Sequence, residues 1–210
     1  MLVMAKAPVP GTVKTRLCPP CTPREAAAVA EAALADTLDA VARCGAERRV
    51  IALAGEPGPW LPTGFEVIPQ RGRDFAARLA HAWADTCGPG IQIGMDTPQV
   101  GAGELDECLA ALEGPGRPAL LGPALDGGWW VIGFGGADPD AVFAGIPMST
   151  PATGERQAHR LRRLGFDVVT VSTHRDIDAV ADLLAVAAMA PDTRTAQVVR
   201  GLGLGLEISA

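Results

Sequence analysis

Short apolar runs alternate with longer amphipathic stretches along most of this chain. Runs that are apolar on both faces are typical of strands in a sheet covered on both sides, and the amphipathic stretches supply the covering helices. The predicted strands are Leu2–Ala7, Arg49–Leu53, Phe65–Pro69, Ile91–Met95, Ala119–Pro123, Trp129–Phe134 and Asp167–Val171. The predicted helices are Pro23–Arg43, Asp74–Thr86, Ala102–Leu112, Ala152–Leu164 and Asp176–Ala190. Strands separated by helices join in parallel, so the pattern predicts an α/β fold, a three-layer α/β/α sandwich with a mostly parallel sheet.

The length and charge of the chain limit the kinds of protein that it could be. A chain of 210 residues predicts a single domain over residues 1–210. The net charge of -6 is opposite in sign to that of most nucleic-acid-binding domains, so we expect no nucleic-acid partner. No apolar stretch approaches the roughly 20 residues that span a bilayer, and residues 1–6 lack the pattern of a signal peptide. We therefore expect a cytoplasmic protein with no membrane partner, and the oligomeric state is left open.

The loop that follows the first predicted strand, residues 5–17, concentrates positive charge. It holds Lys6, Lys14 and Arg16, and Gly11 allows a tight turn that exposes backbone N–H groups. Ligands of parallel α/β sheets sit at the carboxyl ends of the strands, so this loop is well placed to hold a polyphosphate. It lacks the glycine spacing of a P-loop. A solvated basic loop with no ligand is the alternative interpretation.

Two aspartates follow later strands. Asp96 comes directly after a buried strand, where a carboxylate is costly unless it is paired or bound to a cation such as Mg²⁺. Asp126 lies in an Asp-Gly-Gly turn and is a candidate second metal ligand. Both also have ordinary structural interpretations, because Asp-Thr-Pro and Asp-Gly-Gly are common turn sequences.

Three further segments are ambiguous. Gln70 and Arg78 follow the third strand and could read a base edge or hold a phosphate. Asp176 and Asp178 open the last predicted helix, and the structural role of acids at a helix N-terminus is favoured there. The Cys18-Pro-Pro-Cys21 pair has redox spacing, although two small apolar residues in a loop are the simpler interpretation. An odd number of isolated cysteines argues against a disulfide framework.

Four segments, taken in order, resemble a known family. They are residues 5–17, Gly94–Gln99, Asp126–Trp130 and Ile146–Thr150. Together they are similar to the DUF2064 family, also called the radical-SAM/selenodomain-associated transferase 1 family. That family is assigned to the GT-A, or nucleotide-diphospho-sugar transferase, superfamily, and the likeness runs from Leu2 to about residue 184.

The resemblance implies a role for each matching position. It implies that the catalytic residues are Lys14, Arg16, Asp96 and Asp126. Within this set, Lys14 and Arg16 would hold the phosphates, and the two aspartates would bind Mg²⁺ or Mn²⁺. The implied nucleotide contacts are Ala5, Lys6, Gly11, Lys14, Arg16, Gln70 and Arg78. Trp129 and Met148 depart from the family pattern on the acceptor side.

The sequence therefore predicts a Mg²⁺-dependent nucleotidyltransferase or glycosyltransferase. Its partners would be an NTP or a nucleotide-sugar and a small-molecule acceptor. The alternative is a non-catalytic nucleotide-binding module or partner subunit, since a fold does not fix a function.

Overall fold

The computed structural model describes residues 1–204, and its centre is a seven-stranded sheet of order β3-β2-β1-β4-β6-β5-β7. The strands are β1 (Leu2–Lys6), β2 (Val50–Ala54), β3 (Glu66–Pro69), β4 (Gly90–Gly94), β5 (Pro118–Pro123), β6 (Trp129–Phe134) and β7 (Asp167–Thr170). The helices are α1 (Pro23–Arg43), α2 (Phe75–Thr86), α3 (Ala102–Ala110), α4 (Pro139–Phe143), α5 (Thr153–Arg163), α6 (Val180–Met189) and α7 (Arg194–Gly201).

The sheet is parallel except at β6. Strands β1, β2, β3 and β4 pair in parallel, and so do β5 and β7. Strand β6 runs antiparallel to β4 and β5. The cause is local, because five residues join β5 to β6, and a parallel connection needs a crossover of a dozen residues or more.

Helices cover both faces of the sheet, which makes the three layers. On one face, Leu34 and Leu38 of α1 and Leu105 of α3 are buried in one cluster with alternate residues of the strands. On the other face, Leu79 of α2 and Phe143 of α4 are buried in a second cluster. Successive side chains along each strand point to opposite faces of the sheet, so they pack alternately against the two helix layers. The predicted fold class, a three-layer α/β/α sandwich with a mostly parallel sheet, is confirmed.

The start of helix α1 is fixed by a cap that its own sequence contains. The Thr22 side chain accepts from the Glu25 backbone N–H at 3.3 Å, and the Glu25 carboxylate accepts from the Thr22 N–H at 2.7 Å. This reciprocal cap begins the helix at Pro23, as predicted.

The last predicted helix begins later than expected. Its first residue is Val180, and its capping carboxylate is that of Asp182, which accepts from the Ala179 backbone N–H at 3.0 Å. The prediction that this helix starts at Asp176 was wrong. Asp176 and Asp178 lie before it, in the connection from β7.

Helix α7 is held by a contact that local patterns do not reveal. The buried carboxylate of Asp36 in α1 accepts from the Thr195 backbone N–H at 2.9 Å and from the Thr195 hydroxyl at 2.8 Å. It also accepts from the Arg194 N–H at 3.0 Å. An acid from another helix therefore satisfies the free N–H groups at the start of α7.

The structure of residues 1–204 bears on two points from the sequence, membrane-spanning helices and disulfides. No helix in this range is long and apolar enough to cross a membrane. All five cysteines lie in this range, and none forms a disulfide. Burial raises the pKa of the Cys21 thiol, which lowers the thiolate fraction that redox chemistry needs and favours the apolar interpretation of the Cys18–Cys21 pair.

Candidate active site

The loop after β1 folds back on itself at the carboxyl end of the sheet. Gly11 has φ 79°, and Lys14 has φ 47°, both in the left-handed region. Val13 and Leu17 are buried and anchor the loop against α1 and its neighbours. The Lys6 ammonium donates to the Thr12 carbonyl at 2.6 Å, which closes the turn.

Both cations at the end of this loop lie against carboxylates. The Lys14 ammonium is nearly buried and sits 2.7 Å from a carboxylate oxygen of Asp96. The two charges form an ion pair without hydrogen-bond alignment, since that buried oxygen accepts no hydrogen bond. Lys14 also donates to the Ile177 carbonyl. Arg16 donates to Asp178 at 2.7 Å, in a more exposed pair.

Three aspartates crowd together beside these pairs. Carboxylate oxygens of Asp126, Asp176 and Asp178 all lie within 4.8 Å of one another. With Asp96 they line one cavity of about 420 Å³. Asp96 and Asp126, the predicted metal pair, therefore face the same cavity, but the crowded group consists of Asp126 and two acids that we interpreted as helix-capping residues.

The connection after β7, residues 171–179, carries these two acids into the site. The Ile177 N–H donates to the Asp96 carbonyl at 2.9 Å, and the Leu125 N–H donates to the His174 carbonyl at 3.0 Å. Such bonds fasten the connection to the ends of β4 and β5. The sequence signal that could have found them is the rule already applied to β1 and β4, that site residues follow the carboxyl ends of strands.

The carboxyl of Asp176 is partly buried and lies close to other negative charges. Its own burial, followed by repulsion from Asp126, raises the pKa of its carboxyl from 3.8 to about 6. The group is therefore costly to ionise in the folded protein when no cation balances the site.

We predict that Asp176→Asn stabilises the metal-free protein at pH 8. Because the folded pKa is raised, the penalty from Asp176 grows as pH rises from 3.8 to about 6 and is complete above that. Allowing for solvent screening, the gain should be roughly 1–2 kcal/mol, or roughly 3–6 °C in Tm. The gain should fade as pH falls towards 4. Thermal unfolding across this pH range checks it, and an equal gain at pH 4 and pH 8 would contradict the charge explanation.

The Asp-Gly-Gly turn is locked to the start of α5. Gly127 has φ 89°, and a Cβ built on it would lie 2.2 Å from the Pro151 carbonyl oxygen. The Gly154 N–H donates to the Gly127 carbonyl at 2.8 Å. The Gly128 N–H donates to the Asp126 carboxylate at 2.7 Å, which fixes that side chain toward the cavity. The glycines are therefore required by close packing as well as by the turn.

Gly127→Ala should unfold this corner of the site. The left-handed backbone and the clash with Pro151 together should lower the free energy of unfolding by about 3 kcal/mol. A matched control is Gly103→Ala in α3, where a new Cβ meets nothing within 4 Å. The control should be neutral or slightly stabilising. Chemical denaturation of both variants makes the comparison, and equal effects would show that the packing at Gly127 is unimportant.

Part of the cavity lining is uncharged. It includes Trp129, Met148, Ser149 and Thr153, which we call the uncharged wall. Trp130 is the buried member of the Trp pair, and its indole N–H donates to the Ser172 carbonyl at 2.8 Å. Trp130 therefore belongs to the core, while Trp129 is half-buried at the cavity.

The segment after β3, residues 70–78, supports the site mainly through contacts within the protein. The Gln70 amide donates to the carbonyls of Ala5 and Ala52, both at 2.9 Å, so it supports the end of β1. Arg78 lies over the Phe75 ring, 5.5 Å from its centroid. The part of this segment that lines the cavity is Phe75, whose side chain is substantially exposed. Sequence reasoning did not single out Phe75.

A second, smaller cavity lies beside the first. Its volume is about 230 Å³, and its lining includes Lys6, Lys14 and Arg16. The two cavities share Arg16, Asp96 and Asp178. A basic compartment therefore adjoins an acidic one across a common wall.

Comparison with known proteins agrees with this architecture. The family model of DUF2064, uncharacterized proteins conserved in bacteria, matches residues 27–150. The chain belongs to the DUF2064 family. The match does not extend to the loop at Lys14 or to Asp176 and Asp178. No curated protein sequence matches the chain.

Solved structures resemble this DUF2064 member over nearly its whole length. A protein from Desulfovibrio desulfuricans G20, provisionally assigned as a nucleotide-diphospho-sugar transferase, is 27% identical with a TM-score of 0.84, over 95% of this chain and 93% of that one. A cytidylyltransferase from Leptospira borgpetersenii serovar Hardjo-bovis is 13% identical with a TM-score of 0.59, over 96% and 93%. Rv0371C from Mycobacterium tuberculosis H37Rv, in complex with manganese, is 18% identical with a TM-score of 0.50, over 88% and 96%. These likenesses support a nucleotide-related transferase in general terms.

Proposed function

We propose that this DUF2064 protein is a divalent-metal-dependent transferase. It would take a nucleotidyl group from an NTP, or a sugar from a nucleotide-sugar, and pass it to a small-molecule acceptor. The observation that carries the proposal is the common wall of Arg16, Asp96 and Asp178 between the basic and acidic cavities. Such a wall brings phosphate-binding cations and metal-binding acids within reach of one polyphosphate.

The acids of the site fit a hard divalent cation. Asp126, Asp176 and Asp178 offer oxygen ligands within 4.8 Å of one another, and carboxylate oxygens are what Mg²⁺ and Mn²⁺ prefer. Asp96 lines the same cavity and would contribute through phosphate oxygens. When bound, such an ion would neutralise phosphate charge and orient the reacting groups. A manganese complex is known for a protein of similar fold.

Lys14 and Arg16 would exchange partners when the nucleotide arrives. Each now pairs with a carboxylate at 2.7 Å, and phosphate oxygens would replace those carboxylates. Both cations would then stabilise the negative charge that develops on the departing phosphate. The left-handed turns at Gly11 and Lys14 would let backbone N–H groups of the loop contribute as well.

The remaining predicted nucleotide contacts fall into two kinds. Lys6 lines the basic cavity and would bind phosphate directly. Gln70 would act through Ala5, whose carbonyl it holds at the end of β1. Arg78 would act through Phe75, whose exposed ring could lie against a base or sugar.

A thermal-shift panel tests the proposal. NTPs and nucleotide-sugars would be screened with and without Mg²⁺ or Mn²⁺, because a ligand that binds the native state must raise its stability. We expect at least one nucleotide to raise Tm by several degrees with metal present. No shift with any member of the panel would contradict the proposal.

Product analysis then separates the reactions. Nucleotidyl transfer from an NTP releases pyrophosphate, whereas glycosyl transfer releases a nucleoside phosphate. Tight binding with neither product, for every acceptor supplied, would instead support a non-catalytic nucleotide-binding module.

A further inference from the structure

We infer that the acceptor is an uncharged hydroxyl compound with an apolar body and carries no phosphate or carboxylate. The inference rests on the proposed function, because it names the substrate class of the same site. The balance of charge in the larger cavity and the make-up of its uncharged wall support it.

The charges of the cavity leave no cation for an acidic acceptor. Among the lining residues in the described range 1–204, four are aspartates and Arg16 is the one cation. Arg16 is already paired with Asp178 at 2.7 Å. Asp96 is paired with Lys14 at 2.7 Å. Asp126 and Asp176 therefore hold two uncompensated negative charges, which a single divalent ion would balance.

The nucleotide makes the balance still less favourable for a second anion. Its phosphates would take up Lys14 and Arg16 and would bring negative charge of their own. A phosphorylated acceptor would then enter beside Asp126 with no free lining cation to meet it. Like charges brought together in a partly enclosed cavity repel strongly, because the effective dielectric constant is well below that of water.

The uncharged wall could bind an acceptor that has an apolar body and a hydroxyl group. Trp129 and Met148 supply apolar surface that is half-buried and open to the cavity. Ser149, between Met148 and Thr150, has φ 58°, a conformation rare for a residue with a side chain and frequent at functional sites.

The hydroxyl of buried Thr153 fixes the backbone on both sides of Ser149. The Thr153 hydroxyl donates to the Pro147 carbonyl at 2.7 Å and accepts from the Thr150 N–H at 3.0 Å. Both contacts bracket Ser149, which is an exposed residue of the cavity lining. The Ser149 hydroxyl is thus the polar group that would orient an acceptor hydroxyl, while Trp129 and Met148 hold the apolar body.

The chemistry balances for an alcohol acceptor. The acceptor oxygen forms the bond to the transferred group, and the bond from that group to the leaving phosphate breaks. The leaving phosphate keeps the electron pair, and the hydroxyl proton passes to solvent.

A matched pair of probes tests the charge preference. The probes are 2-phenylethanol and 2-phenylethyl phosphate, which share a ring and differ by one phosphate. Their dissociation constants would be measured by ligand-observed NMR with Mg²⁺ and a saturating amount of the best nucleotide of the thermal-shift panel, so that the phosphates of the nucleotide occupy Lys14 and Arg16. We expect the alcohol to bind at least 10-fold more tightly. Equal or tighter binding of the phosphate to the wild-type protein would overturn the inference.

A charge placed on the wall should reverse the preference. Met148→Arg should shift the ratio of the two constants at least 10-fold toward the phosphate. The control is Met189→Arg, the same change at an exposed methionine at the end of α6, and it should leave the ratio unchanged. A ratio that moves equally in both variants, or in neither, would also overturn the inference.

Failure of this inference differs from failure of the proposed function. A panel without any nucleotide shift would contradict the transferase proposal itself. If a nucleotide binds but the nucleotide-bound protein prefers the phosphate probe, only the acceptor assignment fails.

Discussion

Asp126→Asn is expected to weaken metal-dependent nucleotide binding by about 100-fold or more, equivalent to about 3 kcal/mol. The change is nearly isosteric, and the Asn carbonyl oxygen can still accept the Gly128 N–H that Asp126 now accepts at 2.7 Å. The turn should therefore survive. What is lost is one anionic ligand of the group formed with Asp176 and Asp178. Titration of the nucleotide with and without Mn²⁺ measures the loss.

In the absence of metal, the same substitution should have a favourable effect on thermal stability. Repulsion from Asp126 contributes to the raised pKa of Asp176, so removing that charge should raise Tm in the presence of a chelator. Lower affinity together with higher apo stability is the signature of a metal site and differs from general damage. Asp192→Asn, at an exposed acid that lines neither cavity, should change neither quantity. Unchanged Mn²⁺-dependent affinity in Asp126→Asn would remove the acid cluster from the metal assignment.

The sheet and its helices were predictable because their signals are local. The cap of α1 is complete within four residues, Thr22 to Glu25, and the helix has the predicted bounds. Strand β6 also has its predicted bounds, Trp129–Phe134, between a glycine turn and a polar loop. Apolar runs locate strands within a residue or two, because the five inner strands of the sheet are buried along most of their length.

The site was predictable only in part, because its acids meet through distant pairings. Local rules read Asp176 and Asp178 as the start of a helix, since acids favour that position. Their real place depends on the bond from Ile177 to Asp96, about eighty residues earlier in the chain. Similarly, α7 depends on Asp36, which is 158 residues away from Arg194. No window of sequence contains both partners of such a contact.

Lys14→Met should abolish measurable nucleotide binding, with a loss of at least about 100-fold. Lys14 is the least exposed cation of the basic cavity, with 9% of its side chain accessible, so its charge is poorly screened by solvent. A phosphate that takes the place of Asp96 would meet the full ammonium charge. Lys6→Met offers a comparison, because Lys6 is exposed and bound to the Thr12 carbonyl, and its loss should reduce affinity about 10-fold or less.

A lower affinity alone could reflect damage to the fold, since Lys14→Met leaves Asp96 without its cation. Because the Asp96 side chain is 39% exposed, its unpartnered carboxylate should cost about 1 kcal/mol of unfolding free energy. The double variant Lys14→Met/Asp96→Asn removes both charges, so it should recover most of that stability. Nucleotide affinity should nevertheless stay low in the double variant, because the phosphate-binding charge is still missing. Recovery of affinity along with stability would show that Lys14 only neutralises Asp96, and the phosphate-binding role of the loop would then fall to Lys6 and Arg16.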